Sequence, residues 1–266
     1  ELHSDRLQIF GAAEIGYLTS LSDEKLRLSL NLIERANIPG LIVMRGIEPP
    51  GFLVDISRRK DIPLYTTPVT SSIFIEEITR HIGELLAPTV TMHGVFVDVL
   101  GIGVLIIGKS GIGKSECALD LVSRGYRLVS DDVVIIKRLP SSVLMGTSSD
   151  LIRYHMEIRG LGIVNIKDIF GITAIRERKQ IDIVVELVKW EPADEHDRLG
   201  FEESTYDILG VNLPYMRFPV TPGRSIASIV EVAARNQILK IMGHHPAKAF
   251  KAALDSAIKA NEKAEN

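Results

Sequence analysis

Cysteine is nearly missing from this chain of 266 residues: Cys117 stands alone. One thiol excludes an intramolecular disulfide framework and any cysteine-based zinc cluster, which fits a reducing cytoplasm. It falls on the apolar side of a helical stretch and reads as a buried spectator rather than a reactive group. An excess of one charge is also missing, since 31 basic residues face 34 acidic ones for a net charge of −3. No basic run is long enough to offer a nucleic-acid or membrane surface, so a compact protein or a small molecule is the expected partner. Long hydrophobic runs are lacking as well. The longest uncharged apolar run, Val99 to Ile107, is too short to cross a bilayer, and no signal peptide opens the chain. Glu1 in place of an initiator methionine points to a trimmed N-terminus. With 45% hydrophobic and 24% charged residues, the composition supports one large or two modest cores.

What is present is a phosphate cradle. Val104-Leu105-Ile106-Ile107 reads as a buried strand, followed by Gly108-Lys109-Ser110-Gly111-Ile112-Gly113-Lys114-Ser115. After it, Cys117, Ala118, Leu121 and Val122 recur at helical spacing, and Gly125 supplies the stop. A glycine-rich loop can curl its N–H groups around phosphate oxygens, and Lys114 adds a point charge. Ser115 is placed to ligate Mg²⁺, while the helix N-terminus favours the phosphates themselves. With strand, loop and helix in register, the motif predicts a nucleotide site rather than a structural glycine turn.

The fold class is α/β, with a small N-terminal α/β domain over residues 1–88 and a P-loop-containing α/β domain over 89–266. In the first, Leu7 to Phe10, Leu41 to Met44 and Leu64-Tyr65 read as strands, with Pro49-Pro50-Gly51 closing the second. Asp23 to Ala36 and Phe52 to Arg59 read as helices, as does a segment capped by Thr70 or Ser71 that runs to Leu86 with Ile75, Ile78, Ile82 and Leu85 as its apolar stripe. No catalytic cluster occurs there, so a docking or oligomerisation role is expected.

Beyond Pro88, Val90 to Asp98 reads as one strand, Leu100 to Gly103 as a turn and Val104 to Ile107 as the return. His93 on that strand fits no metal-ligand spacing, and a lone histidine is more often structural than chemical. Tyr126 to Ser130 forms another strand ending in Asp131-Asp132. Carboxylates at a strand end beside a P-loop are where Mg²⁺ and an attacking hydroxyl belong, and adjacent residues on a strand point oppositely, so the two divide the work. In Met156 to Ile166, Glu157 and Arg159 share a face if extended, suited either to Mg²⁺ and phosphate or to a strand-edge ion pair. Glu191 to Glu203 reads as a charged loop. Pro219-Val220-Thr221-Pro222-Gly223-Arg224 reads as a rigid turn, after which Ser225 caps a helix reaching about Met242.

Five separated pieces of this set resemble the HPr kinase/phosphorylase family: Met92-His93-Gly94-Val95, the P-loop continuing into Glu116, Ser130-Asp131-Asp132, Glu157-Ile158-Arg159-Gly160-Leu161-Gly162, and Arg198 followed by Pro219 to Arg224. The resemblance spans nearly the whole chain and is strongest from about Thr89. It implies a bacterial cytoplasmic, hexameric enzyme that uses ATP and Mg²⁺ to phosphorylate a serine of the phosphocarrier HPr, and that reverses the step with inorganic phosphate to give pyrophosphate. It also implies that Gly108 to Ser115 bind ATP, that Ser115 and Glu157 contact Mg²⁺, and that Asp132 is the general base. His93, Lys114 and Arg198 join Asp132 at the catalytic positions, with Asp131 and Arg159 in support and Pro219 to Arg224 serving dephosphorylation. Lys109 departs mildly from the family, whose members often carry an acid or a small residue there. A guanine-nucleotide switch would need Asn-Lys-x-Asp, whereas Asn165-Ile166-Lys167-Asp168 has the letters in the wrong order. A small-metabolite P-loop kinase is the remaining rival.

Overall fold

The computed structural model describes residues 5–190, 204–221, 223–246 and 249–250. The chain divides into two compact units, Glu1–Leu85 and Leu86–Asn266. In the first, β1 (Gln8–Phe10), β2 (Leu41–Val43) and β3 (Leu64–Thr66) make a parallel three-stranded sheet in sequence order. Helices α1 (Ala12–Ser20), α2 (Asp23–Arg35) and α3 (Gly51–Lys60) supply Ile15, Leu18, Ile33, Leu53 and Ile56 to its core. Leu26 and Leu30 lie on the same face of α2 as Ile33 and pack beside it. No periodic pattern marks α1 in the sequence, because its apolar positions are spread around the helix. In α4 (Ser71–Leu85) the stripe is real but uncovered: no α4 residue is buried, and Ile75, Ile82 and Leu85 are exposed.

The second unit is built in three layers. A six-stranded sheet has the order β14-β15-β13-β6-β5-β7, formed by β5 (Val95–Val99), β6 (Ile102–Gly108), β7 (Arg127–Ser130), β13 (Ile183–Lys189), β14 (Ser204–Ile208) and β15 (Val211–Val220). Strands β6, β13 and β15 run parallel, with antiparallel neighbours outside them. Side chains alternate across this sheet with period two. Val95, Val97, Val104, Ile106, Ile183 and Val185 face helices α5 (Lys114–Ser123) and α7 (Ile226–Ile241), which contribute Leu121, Val122, Val230 and Ala234.

Phe96, Leu105, Ile107 and Val184 face the other way. They meet an antiparallel four-stranded sheet of order β12-β9-β8-β4, made of β4 (Thr89–His93), β8 (Val133–Leu139), β9 (Val143–Ser148) and β12 (Arg178–Gln180). Each fully buried side chain of this kind contributes about 1.5–3 kcal/mol relative to exposure. A hairpin of β10 (His155–Ile158) and β11 (Gly162–Asn165) stands apart from both sheets and leads into the short helix α6 (Ile166–Phe170). No helix among the described residues is long and apolar enough to cross a membrane.

The stretch expected as one strand, Val90 to Asp98, is two. It breaks at Gly94 and passes from the four-stranded sheet into the six-stranded one. Its partner chain breaks opposite, at Asp131-Asp132, between β7 and β8. His93 pairs with Val133 on one side of the corner and Phe96 with Ser130 on the other, while Gly94 N–H donates to the Asp132 carbonyl at 2.9 Å. Glycine is needed at the corner because a Cβ there would lie 2.7 Å from the Ile106 carbonyl oxygen. The alternation of side chains runs through the bend unbroken, which is why the sequence conceals it. The following turn is also tighter than expected, with only Leu100 and Gly101 (φ 55° and 85°) between β5 and β6.

Candidate active site

Strand β6 delivers the chain to the P-loop. At Gly108, φ is 144° and a Cβ would stand 2.5 Å from the Leu187 carbonyl oxygen, so the loop can leave the sheet only from a residue without one. Lys114 opens α5 and turns back over the loop, donating from Nζ to the carbonyls of Gly108 at 3.0 Å and Lys109 at 3.2 Å. Ser115 follows on the first turn. Its hydroxyl donates to Asp131 Oδ1 at 2.9 Å, and the other carboxylate oxygen of Asp131 accepts Glu157 N–H at 3.2 Å.

Asp131 is only 4% exposed. Burial pushes its carboxyl above the ordinary value of 3.8, and the hydrogen bonds from Ser115 and from the Glu157 and Asp132 backbone offset part of that rise. Asp132 faces the opposite way. It lies in the left-handed region, φ 63°, a conformation that costs a non-glycine residue about 1–3 kcal/mol and gathers at functional sites. Its Oδ1 is 3.7 Å from His93 Nδ1, and both side chains are open to solvent. The corner between the sheets thus turns one carboxylate into the protein and the other out into the cleft.

One cleft is lined by Ser110, Gly111, Lys114, Ser115, Asp131, Asp132, Glu157 and Arg159, together with Val95, Gly113 and Glu116. Arg159 reaches across to the P-loop: its guanidinium occupies the space that a Cβ on Gly111 would need. Residues from four separated stretches of sequence therefore meet here. The oxygen donors of Ser115, Asp131 and Glu157 are hard ligands of the kind Mg²⁺ prefers. Among the described residues no group of three or more His, Cys, Asp or Glu could hold a metal by itself. Mg²⁺ is usually held by one or two side chains and completed by water and substrate phosphates.

Other expected positions fall elsewhere. Arg198 and Pro222 lie outside the described residues. Pro219 and Val220 are not part of a turn but the last two residues of β15, paired with Val188 and Lys189; past Tyr215 the strand has only β13 as a partner among the described residues, so proline there sits as on an edge strand. Thr221, Gly223 and Arg224 form the connection to α7, where Ser225 is the N-cap and its hydroxyl accepts Ser228 N–H. Ile226 then stands 3.7 Å from the Cβ position of Gly113, so this connection ends beside the P-loop. Arg124 belongs to no motif. It joins α5 to the start of α7 through Ser225 and Ser228, a link between residues about a hundred positions apart that no local pattern announces.

Comparison with known proteins gives the family. The family model for the HPr Serine kinase C-terminal domain matches residues 84–254, and the one for the HPr Serine kinase N terminus matches residues 1–82. This chain belongs to the HPr kinase/phosphorylase family. The HPr kinase/phosphorylase of Geobacter sulfurreducens is 53% identical over 94% of this chain and 78% of its own length. That of Leptospira biflexa is 46% identical over 96% and 80%, and that of Geobacillus thermodenitrificans 43% over 98% and 84%. Among solved structures, the Hpr(Ser) kinase/phosphatase from Coxiella burnetii superposes with a TM-score of 0.55 at 35% identity, covering 58% of this chain and 93% of that one. The structural match thus extends over more than half of a chain that the sequence matches cover almost from end to end.

Proposed function

We propose that this chain is a bifunctional enzyme that transfers the γ-phosphoryl group of ATP to a serine of HPr and removes it again by phosphorolysis. The observation that carries the reading is the division of labour at the sheet corner, where Asp131 engages Ser115 and Asp132 stands exposed in the cleft beside the P-loop. Backbone N–H groups from Gly108 to Ser115 and the Lys114 ammonium hold the phosphates in line. Asp132 takes the proton of the incoming serine hydroxyl, and His93 orients that carboxylate from 3.7 Å. Ser115 and Glu157 would hold Mg²⁺, with Asp131 positioning Ser115 and Arg159 supporting the loop. When bound, the ion neutralises charge on the phosphates. Arg198, outside the described residues, would add positive charge for the γ-phosphate, as the family resemblance implies.

In reverse, an oxygen of inorganic phosphate attacks the phosphorus of phosphoserine. The P–O bond to serine breaks, the leaving serine oxygen takes its proton from Asp132, and pyrophosphate departs. Residues 219–224 would hold the free phosphate ahead of the N-terminus of α7. A homohexamer in the bacterial cytoplasm, with no membrane or nucleic-acid partner and with the N-terminal unit used for docking or assembly, completes the proposal.

The test uses purified full chain, HPr and γ-labelled ATP with Mg²⁺, then phospho-HPr with inorganic phosphate. Label on the serine of HPr, and pyrophosphate in the second incubation, are expected. Label appearing only on a small metabolite would overturn the reading. Light scattering during gel filtration checks the hexamer.

A further inference from the structure

The hairpin that brings Glu157 and Arg159 to the cleft also carries apolar side chains that phosphoryl chemistry does not use. Glu157 and Ile163 are directly opposed in the antiparallel pair β10–β11, as are Met156 and Val164. Opposed residues share a face, and successive ones alternate. Met156 is buried and Val164 packs with it against the core, so that face of the hairpin is accounted for. Ile163 is on the other face, beside the carboxylate that lines the cleft, and is 74% exposed. Leu161, in the turn between the strands, is 69% exposed. The hairpin itself is anchored, by Glu157 N–H on Asp131 and by Ile166 N–H on the Tyr154 carbonyl at 2.8 Å.

A single exposed leucine or isoleucine means little. These two are held on an anchored rim next to the cleft carboxylate, where the alternation would accept a polar residue at no cost. A serine carried by a folded protein can reach Asp132 only if the protein around that serine covers the rim. The centre of such an interface is apolar and desolvated, with the charged groups at its border. We propose that Ile163 and Leu161 dock the folded protein substrate, taking an apolar strip beside the acceptor serine, and so help to select a protein over a small alcohol. This rests on the reading that the acceptor is a protein serine.

The test compares the full-length wild type with Ile163→Ala, Leu161→Ala and the double variant, changes that remove apolar area without adding charge beside Glu157. The double variant should raise KM for HPr roughly tenfold or more, with kcat, ATP affinity, thermal stability and assembly size near wild type, and Ile163→Leu should restore KM. An unchanged KM overturns the proposal. So does a fall in kcat or ATP affinity at unchanged KM, which would place the residues in phosphate chemistry. A change in assembly size accompanying the loss also overturns it, because the rim would then be a contact between copies. Wild type that leaves HPr unphosphorylated would sink the functional reading instead. Calorimetric titration of HPr into wild type and double variant, with no chemistry required, would then decide the docking question by itself. Should Ile163→Ala fold poorly, Leu161→Ala in the turn carries the same comparison.

Discussion

The guanidinium of Arg124, at the end of the P-loop helix, donates to the hydroxyl of Ser225, 3.1 Å away at the start of α7. It also donates to Ser228 at 3.0 Å and is braced by Asp120 at 2.9 and 3.0 Å. The two helix ends are thereby locked together, directly after the connection that holds Arg224.

Arg224→Ala is therefore expected to impair phosphorolysis of phosphoserine-HPr by an order of magnitude more than ATP-driven phosphorylation, since only the former must hold a free phosphate. Arg124→Met should show the same asymmetry in weaker form, by loosening the seat of Arg224. Both rates measured on each purified variant decide it. Equal losses in the two directions would make the connection merely structural.

Lys114→Ala removes the ammonium that folds over the P-loop carbonyls. Phosphoryl transfer should fall roughly a hundredfold or more, as when one preorganised electrostatic contact is deleted. Nucleotide affinity should fall with it while the far-UV circular dichroism stays native. A variant binding ATP as tightly as wild type contradicts the site.

Asp132→Asn should keep ATP affinity and lose transfer, because the amide can hold a serine hydroxyl but cannot accept its proton. Asp131→Asn should act differently, loosening the placement of Ser115 and so raising the Mg²⁺ concentration needed for transfer. Titrating Mg²⁺ in both variants separates the two roles. If Asp131→Asn alone abolishes transfer at saturating Mg²⁺, the base is on the buried side of the corner.

The buried Asp131 carboxyl also makes a stability prediction. Its native pKa lies above 3.8, so between the unfolded and folded values the native state binds more protons than the unfolded chain, and this group's contribution to stability falls as pH rises through that window. Above it, the buried charge is a standing penalty that Asp131→Asn lacks. The melting temperature of Asp131→Asn relative to wild type should therefore be highest near pH 7 and should drop as pH is lowered toward 3.8. A difference that grows on acidification contradicts the assignment.

Cys117 is buried on α5, and burial pushes its thiol up to about 12. Neither protonation state nor access favours attack, so an aromatic disulfide reagent should label it only as the chain unfolds. Stoichiometric labelling of native protein within minutes would show the helix opening locally.

Much of this site was legible in the residues alone because its parts are local. A run of β-branched residues, a glycine loop and a helical repeat sit within Val104 to Arg124, and the backbone chemistry of each depends on its near neighbours. The same holds for the carboxylate pair at the end of β7 and for the Glu157–Gly162 stretch, which proved to be a hairpin. The period of α4 likewise marked its apolar face, but a period says which residues share a side and nothing about what covers it. That stripe is left exposed, and α1 has no clear period to mark it.

The sequence by itself marked the strand, glycine loop and helix of the P-loop and the carboxylate pair that follows them. Only the tertiary structure decided how they meet: that one continuous alternating segment would bend at Gly94 into two sheets, that the facing chain would bend at Asp131-Asp132, and that Ser115 would bond to Asp131 sixteen residues away. The physical reason is that alternation and spacing constrain a chain only against itself. Which of two adjacent carboxylates is buried depends on sheet packing from both sides of the corner, and that packing is made by residues far apart in sequence.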